Sequence, residues 1–154
     1  MTGGIGEIQK TIELDTAHDR AFAVWTEEVG AWWPLAEHSV GQKDATGCAF
    51  EPGVGGRLYE TGKDGLEHLW GRVVVWEPPR RLAHSWHPGR PLTDRTMVLV
   101  TFTPLAPDRT RLTLTHSGWR EGDEHRRAAY DAGWDDLLGN HYVARARKPS
   151  NGSG

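Results

Sequence analysis

The chain has 154 residues, a length that fits one domain with a core of its own. Its 18 basic and 21 acidic residues leave a formal charge of −3, which argues against a nucleic-acid surface. Cys48 is the single cysteine, so an internal disulfide and a four-cysteine zinc site are excluded, and a reducing cytosol is the expected compartment.

The N-terminal "MTGGIGEIQK" carries no charged region followed by an apolar run, so no signal peptide is expected. Apolar runs such as "VVVW" are too short to span a bilayer, and no membrane partner is expected. Eight Trp is a heavy load. Indole rings fill cores and wall pockets equally well, so the excess alone does not separate the two.

Ile8 to Leu14 alternates apolar and polar residues, which predicts a strand. "DTAHDRAFAVWTEEVGAWWP" then reads as a helix, with Asp15 or Thr16 as N-cap and Ala21, Phe22, Val24, Trp25, Val29 and Trp32 as its apolar stripe. Gly30 is expected to break this helix, Pro34 prevents its continuation, and a short second helix is expected near Ala31 to Trp33. Pro34 to Ala45 reads as a loop. Six β-rich runs follow, separated by Gly, Asp-Gly and Pro signals, which predicts an antiparallel meander.

The C-terminal stretch returns to a helical period. Tyr130, Trp134, Leu137, Leu138 and His141 share one face of a helix about 20 residues long. Gly133 and Gly139 each cost it about 1 kcal/mol relative to Ala. They let the helix approach the sheet closely, or they leave space beside a pocket; the sequence keeps both readings open. One domain is expected over residues 1–148, with a disordered tail at 149–154.

This order of elements, with the strings "AFAVWTEEVGAWWP", "FEPGVGGRLYE", "WGRVVVWEPPRRLAHSW", "LTLTHSGW" and "YDAGWDDLL", resembles the START-like (SRPBCC) superfamily. Within it the chain is similar to the bacterial branch named after the activator of heat-shock-protein-90 ATPase. The resemblance runs from about Ile8 to Ala146. It implies an α+β helix-grip fold: a seven-stranded antiparallel sheet wrapped around a long C-terminal helix, with two short helices after strand 1. It also implies an apolar cavity between helix and sheet, but no substrate and no cofactor.

Three histidines stand on strands that could face that cavity: His68, His84 and His116. Strand alternation groups Leu112, Leu114 and His116, and separately Leu82, His84 and Trp86. In "HLWGRVVVW" both faces are mostly apolar, so the inward register is undecided; a bulge near Val74 would make both partly right. Converging inward, the three His could meet Tyr130, Trp134 and His141, which raises the question of a metal. No H-x-H or H-E-x-x-H spacing is present, and no metal is expected. Glu60 and Glu67 are acid–base candidates by residue type alone. Cys48 reads as a small buried filler. "GVGG" (Gly53 to Gly56) reads as a hairpin turn, because the Lys-Ser/Thr of a phosphate loop is missing. In "AWWPLAEHSVG", Trp32 and Trp33 cannot share one helix face, so one is free to pack in the core and the other to line a cavity mouth, with His38 close by.

The candidate ligand-binding set is therefore Trp33, His68, Trp70, Trp76, His84, Trp86, His116, Tyr130, Trp134 and Leu138. The leading expectation is a binding module for a small apolar ligand, aromatic compounds included. An enzyme of cyclase, dehydratase or hydrolase type using a cavity His, and a co-chaperone-like interaction protein, are the alternatives, and a homodimer stays open.

Overall fold

The computed structural model describes residues 6–147; the tail expected at 149–154 lies outside them. The strands are β1 (Ile8–Leu14), β2 (Ala45–Phe50), β3 (Arg57–Gly62), β4 (Glu67–Glu77), β5 (Arg81–Trp86), β6 (Thr96–Ala106) and β7 (Arg109–Ser117). They form one antiparallel sheet in the order β1-β7-β6-β5-β4-β3-β2. The helices are α1 (His18–Thr26), α2 (Val29–Trp32) and α3 (Glu124–Asp136), the last continuing through a π turn (Leu137–Tyr142) into α4 (Val143–Ala146). This is the α+β helix-grip arrangement: a curled seven-stranded sheet, short helices after β1 and a long C-terminal helix.

Period-two sequence becomes one-sided burial in the regular half of the sheet. On β1, Ile8 and Leu14 are buried while Gln9, Thr11 and Glu13 are exposed; on β7, Leu112, Leu114 and His116 are buried between half-buried Thr residues. The α1 stripe of Ala21, Phe22, Val24 and Trp25 completes this core. Trp25 packs its ring against Trp32, Phe102, Trp134 and Tyr142. Hydrogen bonds tie the chain's two ends together: Tyr142 Oη donates to the Ala21 carbonyl (2.8 Å) and Thr16 Oγ1 to the Ala146 carbonyl (2.9 Å).

Local details differ from the sequence reading for stated reasons. The residue capping α1 is Ala17, because the Thr16 hydroxyl is engaged at the far end of the chain. The second helix is Val29–Trp32, and Gly30 lies inside it without breaking it. A Cβ on Gly30 would stand 2.8 Å from the Cys48 carbonyl oxygen, so this glycine permits helix and β2 to approach. On β4, register shifts opposite Leu58/Tyr59 and between Val73 and Val75 interrupt the alternation. Trp70 is buried and Trp76 half-buried, while Arg72 and Val74 between them are exposed. Gly53 and Gly55, both at positive φ, turn the chain between β2 and β3. No helix among the described residues is long and apolar enough to cross a membrane.

Candidate functional site

Pro34 ends α2, and the chain runs over residues 33–44 before β2. This loop is held from below by a buried carboxylate. Glu60, fully buried on β3, accepts hydrogen bonds from the Val40 amide (2.6 Å), the Gly41 amide (2.8 Å) and Trp70 Nε1 (2.6 Å). Three donors compensate the burial of a carboxylate, which is otherwise costly. Glu60 is thus a buried anchor for the loop, not a solvated strand residue. From above, Trp33 Nε1 donates to the His38 carbonyl (2.6 Å) and Ser39 Oγ to the Leu35 carbonyl (2.6 Å). These bonds tie the loop to β3 and to itself.

Between this loop and α3 lies a pocket of about 340 Å³. Trp33, Trp86, Tyr130 and Trp134 wall it with rings. Gly133, Ala129 and Leu137 supply the helix side, and Glu37, His38 and Ser39 stand on the loop side. Gly133 matters to its shape: an added Cβ there would meet only His38, at 3.5 Å from Cε1 and 3.8 Å from Nδ1. Gly139 faces open space, so neither close packing nor the pocket accounts for it.

Deeper in, between helix and sheet, the rings interlock. Trp70 stands 5.1 Å from Trp33 and 5.7 Å from Trp86, and Trp86 stands 5.9 Å from Trp134, centroid to centroid. The pocket opens on the flank, between the loop and α3, with Trp86 of β5 on its sheet side. Beneath the rings His116 uses both nitrogens. Trp134 Nε1 donates to its Nδ1 (3.0 Å), and its Nε2 lies 2.6 Å from Thr96 Oγ1, whose own proton goes to the Trp86 carbonyl (3.1 Å). This directed chain fixes the neutral Nε2–H form. Burial is the main cause that pushes the His116 pKa down to about 3, with the charge of His84 and Arg126 adding to it. Burial likewise pushes His84 down to about 4, against a 2.9 Å contact of its Nδ1 with the Ser85 carbonyl.

The mouth is different. His38 Nε2 lies 3.1 Å from Asp136 Oδ2. A carboxylate accepts, so Nε2 carries a proton; in the neutral ring Nδ1 then keeps its lone pair. That Nδ1 makes no hydrogen bond among the described residues. Asp136 also accepts from Asn140 Nδ2 (2.9 Å) and lies 3.4 Å from His141 Nε2. Residues five apart point about 140° away from each other on an α-helix. The π turn, with its i→i+5 bonding, brings His141 round to Asp136. Hydrogen bonds from Asn140, then from His38, hold the Asp136 carboxyl below the usual carboxylate range. Glu37, Asp136 and His141 place one ligand atom each within 4.8 Å of one another, a set able to hold a divalent cation.

The residues expected from sequence thus fall in separate places. Trp33, Trp86, Tyr130 and Trp134 line the flank pocket. Trp70, His84, His116 and Leu138 are sealed in the core behind it. Trp76 lines a second cavity of about 460 Å³, with Phe22 and Phe50, between α1 and the β4–β5 turn. His68 is exposed: it sits at the tip of the β3–β4 hairpin, where residues 63–68 are all solvent-facing. Only His84 and His116 of the three expected histidines are neighbours, and His141 joins Asp136 instead of them. Burial pushes the Cys48 thiol up to about 12, consistent with an inert filler. Sequence reasoning placed His38 near the entrance but missed its partner Asp136, 98 positions away, and gave no signal for Glu37.

Residues 15–141 match the family model described as Activator of Hsp90 ATPase homolog 1-like protein. The chain belongs to this family. Its fold and motifs place the family, and this chain with it, in the START-like (SRPBCC) superfamily. Among solved structures, an anthrahydroquino-gamma-pyrone synthase, Txn09, complexed with a molecule designated SUM, is 30% identical, covering 99% of this chain and 94% of its own, with a TM-score of 0.56. A protein from Arthrobacter aurescens is 22% identical, covering 95% and 88%, with a TM-score of 0.66. NE0264 from Nitrosomonas europaea is 16% identical, covering 91% and 92%, with a TM-score of 0.65. The last two show the shared fold. No curated protein matches the sequence.

Proposed function

We propose that this family member binds a small, flat, mostly apolar aromatic molecule in the flank pocket. The observation that carries the reading is the pocket itself: about 340 Å³ walled by three indoles and a phenol, held open by the fixed loop and by Gly133. A cavity of this size and composition suits a compound of a few fused rings. Burying about 200 Å² of ligand contributes about 5 kcal/mol before the entropy of association is subtracted. Ring-on-ring contacts add to it. Trp86 Nε1 is buried without an acceptor at hydrogen-bond geometry, though near enough to the Tyr130 hydroxyl to oppose the upward push of burial on that phenol. A ligand carbonyl entering beside Tyr130 would supply the missing acceptor.

The test is a panel of planar aromatic compounds, anthraquinones included, read by Trp fluorescence and melting temperature. Saturable quenching with a rise in melting temperature is expected for the ring-shaped members and not for fatty acids of similar area. A panel that moves neither signal would remove the reading.

One observation favours a second reading, in which the pocket is an active site. The 30%-identical relative is named a synthase of a fused-ring product. Turnover of a related aromatic precursor by this chain, lost when the pocket is filled, would establish it.

A further inference from the structure

The second cavity, of about 460 Å³, shares no lining residue with the flank pocket. Three rings wall it: Phe22 of α1, Phe50 at the end of β2 and Trp76 of β4. Phe22 and Trp76 stand 5.3 Å apart, centroid to centroid, at 73°, and Phe50 and Trp76 stand 6.3 Å apart at 46°. Rings at such angles form a corner, not a stack. Phe50 and Trp76 are half-buried, so the corner is not sealed. The ionisable groups that line the cavity are both acidic. Asp19, Ala23 and Glu27 follow one another at steps of four down the cavity side of α1, the last as its C-cap. The two carboxylates are exposed and stand about 12 Å apart along the helix, with the small Ala23 between them. Asp19 Oδ1 accepts from the Arg20 amide (2.8 Å), and neither carboxylate is ion-paired among the described residues. The cations nearby are engaged elsewhere: Arg20 with Glu28, and Arg80 and Arg81 with Glu77. No described residue lining the cavity is basic. Pro52, Pro78 and Pro79 have no amide proton, and the Thr26 hydroxyl already donates to the Phe22 carbonyl (2.9 Å).

We infer that this cavity is a second binding site, for a small organic cation with an apolar shell: a methylated, quaternary ammonium group seated on Phe22, Phe50 and Trp76, with Asp19 and Glu27 at the rim. Aromatic faces attract a cation within about 6 Å of the ring centroid, and a head group in the corner between tilted rings reaches more than one of them. A bare ammonium would give up strong hydration to enter such a place. Methyl groups around the nitrogen remove that cost and add apolar area to bury. The carboxylates need not touch the head group. Set beside a wall of low dielectric, they raise the local concentration of cations and repel anions. A neutral apolar compound would use the rings and leave the charge idle. An anion would meet two like charges. A methylated ammonium uses both features of the cavity. The head group is the same on a free small molecule and on a choline lipid. The site stands or falls apart from whatever the flank pocket binds.

Choline and 3,3-dimethyl-1-butanol are matched probes, alike in shape and differing by a cationic nitrogen in place of a carbon. Each is titrated into the full chain while the indole N–H signals are followed by NMR, the Trp76 signal being the one missing from Trp76→Leu. Wild type is expected to show saturable movement of the Trp76 signal with choline, at an affinity at least about tenfold tighter than for the alcohol. Trp76→Leu keeps an apolar wall and removes the ring; followed through the choline methyl resonance, its preference for the cation is expected to vanish. Asp19→Asn with Glu27→Gln, both at exposed positions, is expected to keep the fold and to weaken choline by roughly threefold to tenfold while leaving the alcohol unchanged. A Trp76 signal that choline does not move overturns the site. Equal affinity for the two probes makes the cavity a plain apolar slot and overturns the cation. Choline binding unchanged in the double variant overturns the part given to the carboxylates. Sedimentation with phosphatidylcholine vesicles, reversed by free choline, assigns the head group to a lipid; binding of choline with no sedimentation assigns it to a free small molecule.

Discussion

Two histidines 78 positions apart in sequence, His38 and His116, sit within one ring-lined region and are put to opposite use. His116 lies under the indoles with both nitrogens occupied, one by Trp134 and one by Thr96, and burial keeps it neutral. Protonating it would set an N–H against the Trp134 N–H. It is a polar linchpin of the core, with no lone pair for a ligand. His38 stands at the mouth with Nε2 held by Asp136 and Nδ1 without a hydrogen bond among the described residues, 3.8 Å from where a Cβ on Gly133 would lie. Residue type alone does not separate these roles; what occupies the second nitrogen does.

The largest expected effect falls on the sealed side. His116→Ala leaves a void and strips two buried polar groups of their partner, for a loss of roughly 3–5 kcal/mol in urea unfolding. His38→Ala, half-exposed and paired once, is expected to cost within about 1 kcal/mol. Equal losses would erase the distinction.

Acid sharpens the comparison. The unfolded chain protonates its histidines below about pH 6.5. The folded chain resists protonation at His84 down to about 4 and at His116 down to about 3. The unfolded state therefore binds more protons across that window, and stability falls as pH drops through it, by roughly 3 kcal/mol for each histidine at pH 4. Urea unfolding at several pH values checks this, and His116→Phe should flatten the slope.

The smallest effects separate the two glycines of the C-terminal helix. Gly139→Ala meets open space and should stabilise by up to about 1 kcal/mol while leaving ligand affinity alone. Gly133→Ala gains a similar helix term yet brings a methyl to 3.5 Å from His38 Cε1, so thermal stability should rise while affinity for the aromatic probe falls. Parallel melting and binding curves for the two variants read the difference.

How far the sequence reached follows the same division. β1 and β7 are regular, so period two in their residues reported their faces directly. β4 carries two register shifts, and counting by twos along it could not show that Trp70 is buried while Arg72 and Val74 are exposed. Trp33 and Trp134 were readable as ring residues on the right elements. The His38–Asp136 pair was not, because it joins distant segments and depends on a π turn that brings residues five apart together. The family resemblance implied a hollow between helix and sheet, and strand alternation says nothing about how many rings fill the interior. Trp33, Trp70, Trp86 and Trp134 pack ring to ring there, and a pocket opens where the loop meets α3.

The most direct test of the central claim, that the flank pocket is the ligand site, is a calorimetric titration of anthraquinone into wild type and Gly133→Leu, with melting temperatures measured alongside. The pocket account predicts saturable binding by wild type and an affinity at least about tenfold weaker, some 1.4 kcal/mol, in a variant that still melts cooperatively. Equal affinity in both proteins would contradict it, because the added side chain would then occupy space the ligand never uses.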